Sequence, residues 1–370
     1  MLFLFIGYGS GDYFCKISHY KLNPMISPLF NHLLIPFIIA MFLAINMGGS
    51  GTAPSFSAAY GSNVMRKSLI PGLFGITVFL GAIIAGKATA TTLGTGLLAP
   101  EFLNFMTVST ILFSVSISLL IANLFGIPQS TSQATVMAVT APALYYGKLN
   151  TAKLLFEIIP AWFILPVISF IISFLIGKYI YKPIRKRGYT ISKRLNDNPI
   201  IKISIIIMSL YVAFSIGSNN VANASGPIAS MTINELGIGM EENFILIMIL
   251  STLIVAPSFG IGSSVFGHKI LRNTGKEIIL FGKIEAIIIS FISASLLLMA
   301  SLTKGIPTSL VQLNVAAIIG IGVAKLGFKN IFKKTKVNRF FIMWIIAPVI
   351  AFLLSLLLTY IVDILRPMVE

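Results

Sequence analysis

This chain is short of charge. Only 10% of its 370 residues are Asp, Glu, Lys or Arg, where soluble domains carry about 25%. It has 11 acidic residues, three histidines and one cysteine. The lone Cys15 excludes an internal disulfide and fits no metal site. His19, His32 and His268 are scattered, which argues against a metal cluster. No paired carboxylates and no nucleophile–base pair stand out, so an enzyme is disfavoured and no cofactor is expected.

Apolar length is what the chain has instead. Hydrophobic residues make up 56% of it, and the mean hydropathy is +0.94. Runs such as "HLLIPFIIAMFLAINMG" and "AWFILPVISFIISFLIG" suit a hydrocarbon core about 30 Å thick. The expected fold class is an all-α polytopic membrane protein. The formal charge of +16 raises the question of nucleic acid. Most of the basic residues, however, lie between apolar segments, where membrane topology uses them. The expected partner is therefore the lipid membrane and not nucleic acid.

The first 24 residues, "MLFLFIGYGSGDYFCKISHYKLNP", begin with an apolar stretch too short to span. They lack a basic n-region and a cleavage site, so they do not read as a signal peptide. They read as a poorly ordered extension, or as sequence upstream of a translation start at Met25.

Internal repeats organise the rest. "GIPQSTSQATV" from Gly126 matches "GIPTSLVQLNV" from Gly305, with Ser130/Ser309, Gln133/Gln312 and Val136/Val315 in register. "WFILPVISFIISFLI" from Trp162 matches "WIIAPVIAFLLSLLL" from Trp344. "FLGAIIAGK" resembles "GIGSSVFGH", pairing Gly81 with Gly262 and Gly86 with Gly267. Further upstream, "MGGSGTAP" from Met47 lies opposite "IGSNNVAN" from Ile216. Four blocks in one order divide the chain into two halves, 25–180 and 198–370, joined by a basic cytoplasmic linker, 181–197.

Each half reads as five apolar segments. They are 29–48, 68–91, 102–124, 130–147 and 154–178, then 201–217, 243–266, 278–300, 308–325 and 340–363. The fourth of each half is short and polar, which suggests a re-entrant hairpin. An odd number of spans inverts the second half relative to the first. With the N-terminus outside, most Lys and Arg fall in the inner loops: Arg66 and Lys67, the block from Lys178 to Lys202, Lys269 to Lys276, and Lys325 to Arg339. That distribution agrees with the positive-inside rule and puts both termini outside the cytoplasmic membrane.

Inverted repeats point to a secondary transporter whose substrate site lies at the midplane, where discontinuous helices meet. In each Gly-Ile-Pro break the Gly is expected to end one helix and the Pro to start the next in its first turn. Ser130, Thr131 and Ser132, with Thr308 and Ser309, then bring hydroxyls to helix N-termini, where free N–H groups suit an anion. Hydroxyls in membrane helices also serve as small packing residues or bond back to the preceding turn.

The second expected break in each half is "GSNNVANASGP", opposite "GGSGTAPS" with Ser50. Asn219, Asn220 and Asn223 carry more donors and acceptors than a lipid face tolerates. Their spacing puts Asn219 and Asn223 on one helical face. Interhelical amide bonding is the plainer alternative.

These motifs resemble the inorganic phosphate transporter family. Its Gly-Ala-Asn-Asp-Val-Ala-Asn-Ala signature matches "GSNNVANA" from Gly217, and its Pro-Val-Ser-Thr-Thr-His motif matches "PQSTSQ" from Pro128. The resemblance implies cation-coupled oxyanion uptake by an inverted-repeat, usually dimeric, carrier. The chain departs from the family at the signature aspartates, which are Asn220 and Gly51 here. Both motif histidines are glutamine, Gln133 and Gln312.

Phosphate near pH 7 keeps a proton and needs an acceptor, whereas sulfate only accepts hydrogen bonds. A carboxylate 4 Å from sulfate would cost roughly 4 kcal/mol at an effective dielectric of 20. The loss of both aspartates therefore favours sulfate, and the pattern resembles the family's sulfate permease branch. Phosphate or a molybdate-like oxyanion is the alternative within the class, and an anion channel the alternative outside it.

For the coupling ion, sodium or proton, the expected cation site is Asn220 with unwound carbonyls near Gly48 and Gly217. Glu285, two residues from Lys283, is the intramembrane candidate for a proton; a structural ion pair or a snorkelling lysine is the other reading. His268 sits in an inner loop and reads as topological.

Overall fold

The computed structural model describes residues 28–125, 129–181, 183, 198–267, 282–333 and 335–365. The N-terminal extension, nearly all of the basic linker, the first Gly-Ile-Pro break and His268 lie outside them.

Among the described residues the chain is nearly all helical. The long apolar helices are α1 (Pro28–Gly61), α2 (Ile70–Ala85), α4 (Phe105–Phe125), α6 (Ile159–Ile176) and α7 (Pro199–Asn220). Between α2 and α4 lies the short α3 (Lys87–Thr91), which runs into a π-turn at Thr92–Gly96. α8 (Ala222–Leu236) continues from α7, and α9 (Met240–Val255) is followed at once by α10 (Pro257–Val265). α11 (Lys283–Lys304) and α13 (Thr335–Leu365) complete the long helices. Eight helical stretches are long and apolar enough to cross a membrane. The chain is a multi-pass membrane protein.

The fourth segment of each half is one helix and not a hairpin: α5 (Thr131–Tyr145) and α12 (Leu310–Leu326). At 15 and 17 residues they rise only about 22–26 Å, at 1.5 Å per residue, less than a hydrocarbon core about 30 Å thick.

Burial follows the logic of a lipid solvent. Apolar side chains such as Ile84, Phe163 and Ile345 face outward, while Asn46, Asn219, Asn223, Gln133 and Gln312 are buried inside. Packing exchanges elements between the halves. α1 lies against α10 and α7 against α2; α5 lies against α13 and α12 against α6. Glycines make the first two crossings close. A Cβ on Gly48 would meet the Phe259 carbonyl oxygen at 2.2 Å, and one on Gly262 the Ile45 oxygen at 1.9 Å. In the reciprocal crossing, a Cβ on Gly217 would meet the Val78 oxygen and one on Gly81 the Phe214 oxygen, each at 2.0 Å. The repeat-matched glycines thus occupy matching crossings.

The second expected break does not unwind. α1 runs helically through Gly48, and Val221 keeps right-handed helical angles between α7 and α8. The physical reason is local. Small residues let helices cross closely, and hydroxyls bond back along the helix, Thr52 to the Gly48 oxygen at 2.7 Å and Ser55 to the Gly51 oxygen at 2.9 Å. Gly48 and Gly217 therefore serve helix crossings, and the expectation of unwound carbonyls there is corrected.

Candidate functional site

Two helix starts come together at the centre. Gly305, at φ +59°, ends α11 in the left-handed region, which suits glycine. Pro307 does not open the next helix as the sequence suggested. Ser309 caps α12 instead, its Oγ accepting from the Gln312 N–H at 3.3 Å. Ser130 caps α5 in the same way, accepting from the Gln133 N–H at 3.2 Å. The two glutamines then meet head to head. Gln133 Nε2 donates to Gln312 Oε1 at 3.0 Å, and Gln312 Nε2 donates to Gln133 Oε1 at 2.7 Å. Sequence reading noted them as replacements for histidine; their pairing across the halves appears only in three dimensions.

A second network anchors both starts to α7 and α8. Asn219 Oδ1 accepts from the Ser132 hydroxyl at 2.8 Å and from the Thr308 N–H at 3.3 Å. Its Nδ2 donates to Ser301 Oγ on α11 at 2.8 Å and to the Ile306 carbonyl at 3.2 Å. One amide therefore clamps the α5 and α12 starts to each other. Asn223 Nδ2 donates to Ser132 Oγ at 3.3 Å and approaches Met47 Sδ at 3.7 Å. Asn219 and Asn223 do share a helical face, and Ser132 is their common partner.

Beside these networks lies a cavity lined by Ser50, Gln129, Thr131, Asn220 and Ser309, with Leu310 and Val311 among its apolar walls. Its volume is about 10 Å³, room for about one water. Four of the sequence-derived residues thus line one space: Ser50, Thr131, Asn220 and Ser309. Ser130, Ser132, Asn219, Asn223 and Thr308 stand behind it as caps and braces. Gly48 and Gly217 do not line it.

Two residues escaped sequence reading. Gln129 lines the cavity, and Ser301 receives the Asn219 amide. The signal for Gln129 was its polar side chain where the family motif has valine; for Ser301 there was none. No ionisable side chain lines the cavity. Among the described residues, no group of three or more His, Cys, Asp or Glu is placed to hold a metal ion.

The candidate proton carrier lies elsewhere. Glu285, in the first turn of α11, pairs with Lys325 in the last turn of α12 and accepts the Gly282 N–H at 2.9 Å. That is the structural ion pair, made across two helices.

Comparison with known proteins agrees with this architecture. The phosphate transporter family pattern matches residues 47–355. Sulfate permease CysP of Bacillus subtilis (strain 168) is 33% identical over 88% of this chain and 86% of its own length. A protein of Thermococcus kodakarensis described as a candidate phosphate permease is 26% identical over 87% of this chain and 96% of its own. Among solved structures, the sodium-dependent phosphate transporter superposes with a TM-score of 0.77, at 20% identity, covering 90% of this chain and 99% of that one. The chain is a membrane transport protein and belongs to the phosphate transporter family.

Proposed function

We propose that this chain imports sulfate together with a cation by alternating access around the central cavity. The observation that carries the reading is the chemistry of the walls: two capped helix starts and neutral amides and hydroxyls, with no carboxylate among the lining residues. Free N–H groups and the positive ends of the helix dipoles favour an anion. A fully ionised sulfate needs only donors, which this wall supplies, whereas a carboxylate would repel it. The relationship to the sulfate permease supports the same substrate.

Cation coupling follows from charge. A dianion desolvated in a neutral cavity is costly unless a counter-charge enters with it. A cavity with room for about one water is not an open pore, which favours a carrier over an anion channel. The reciprocal exchange of helices supports two equivalent halves, 25–180 and 198–370. The placement of basic residues supports their inversion, with both termini outside.

Reconstitution into vesicles tests the proposal. Radiolabelled sulfate uptake should saturate, accumulate against its gradient and resist excess unlabelled phosphate. Equal competition by phosphate would overturn sulfate selectivity, and non-concentrative flux would overturn the carrier.

A further inference from the structure

One buried side-chain oxygen beside the cavity has no hydrogen-bond partner among the described residues. Gln129 precedes the α5 cap, lines the cavity and is 1% exposed. Its Nε2 donates to the Ser118 carbonyl at 3.1 Å, which fixes the direction of the amide. Oε1 is then buried without a hydrogen-bond donor among the described residues. A buried carbonyl oxygen left unpaired costs stability, so its presence at a ligand cavity points to a partner that arrives with the ligand.

The chemistry of the cavity narrows that partner. Sulfate has no proton to donate, and its oxygens would repel the carbonyl. A coupling proton has no titratable side chain to rest on in this lining. A divalent ion is poorly served by a wall without carboxylates, which calcium and magnesium sites use. A monovalent hard cation fits, because neutral oxygens suffice as its ligands and its charge offsets that of the neighbouring anion.

We propose that Gln129 Oε1 is a ligand of the co-transported cation, a sodium-sized monovalent ion seated against the bound oxyanion, with Asn220 Oδ1 supplying a second oxygen from α7. Asn220 lines the same cavity, and among the described residues its Oδ1 is engaged only by a long 3.5 Å contact from Ser132 Oγ. The assignment rests on the carrier reading above and adds the residues that hold the coupling ion.

The test uses the full chain in lipid nanodiscs, free of any oxyanion. Sodium chloride is titrated against choline chloride at constant ionic strength, and the melting midpoint is read. Sodium should raise the midpoint, and Gln129→Val should raise the half-effective sodium concentration at least about tenfold. In vesicles, the same variant should raise the sodium concentration that half-saturates sulfate uptake by a similar factor. Gln129→Glu fills the same space and should lower the half-effective concentration, so it keeps the test decisive if the valine variant does not fold.

An unchanged sodium response in both variants would overturn the proposal. So would uptake driven by a pH gradient alone in sodium-free vesicles, which would turn attention to the buried Glu285. Phosphate competition that is present in the unaltered protein and lost in Gln129→Val, with an intact sodium response, would also overturn it, by making Oε1 an acceptor for a protonated oxyanion. Sodium binding that depends on Gln129 in a protein that carries no sulfate would support the cation site and sink the sulfate reading alone.

Discussion

The α5 and α12 starts carry the same device and have been furnished differently. Both are capped by serine, and both place a glutamine in the first turn that pairs with its counterpart. The α5 start brings Gln129 and Thr131 to the cavity, whereas the α12 start brings Ser309 followed by Leu310 and Val311. The helices that feed them differ in the same spirit. The end of α7 and the start of α8 carry Asn219, Asn220 and Asn223, and the matching stretch of α1 carries glycines and Ser50. The pairing of the halves is thus kept as architecture, while ligand chemistry is concentrated on the α5 and α7 sides of the cavity. A site for an asymmetric pair, one anion and one cation, needs that imbalance.

The strongest way to break the arrangement is to remove the clamp that joins both starts. Asn219→Leu leaves the Thr308 N–H without its acceptor, at about 1–3 kcal/mol for a buried unpaired donor, and takes one donor each from the Ser301 hydroxyl and the Ile306 carbonyl. Uptake should be lost and the melting midpoint should fall sharply; near-normal uptake would sink the clamp. The glycine crossings come next. Gly48→Ala and Gly217→Ala each force a methyl onto a carbonyl oxygen, with overpacking typically costing about 1–3 kcal/mol. Similar losses of thermal stability in the two variants would sharpen the equivalence of the crossings, and strongly unequal losses would break it.

The glutamine pair tests coupling between the starts. Gln133→Leu should cost about 1–3 kcal/mol by leaving the Gln312 amide unpaired. Adding Gln312→Leu should restore part of that loss, giving a coupling of about 0.5–3 kcal/mol in a double-mutant cycle. Strict additivity would mean the pair carries nothing. The smallest effect separates the two caps. Ser130→Ala and Ser309→Ala should each cost about 1 kcal/mol of stability. Only Ser309→Ala should also raise the sulfate KM, because only Ser309 lines the cavity.

Much of this protein was legible without coordinates. Long apolar runs leave the backbone no option in lipid but to satisfy itself helically, so hydropathy located all eight membrane-length stretches. Buried amides and hydroxyls in such runs are costly enough to mark function, so Ser50, Thr131, Asn220 and Ser309 were found before their shared cavity was. Close crossings were less legible: the Gly48 and Gly217 stretches read as breaks, because a glycine that permits unwinding and one that permits close approach look alike in sequence. The direction of Glu285 was similarly hidden, since its partner Lys325 lies 40 residues away.

The sequence by itself determined the class of molecule, the recurring motifs and the identity of the polar residues, because hydrophobicity and motif spacing are properties of the chain. Only the tertiary structure decided which of those residues line the cavity and which brace it. Side-chain partners are set by helices that cross between the halves, and no local pattern records that Asn219 holds two helix starts together or that Gln129 is left with a carbonyl to spare.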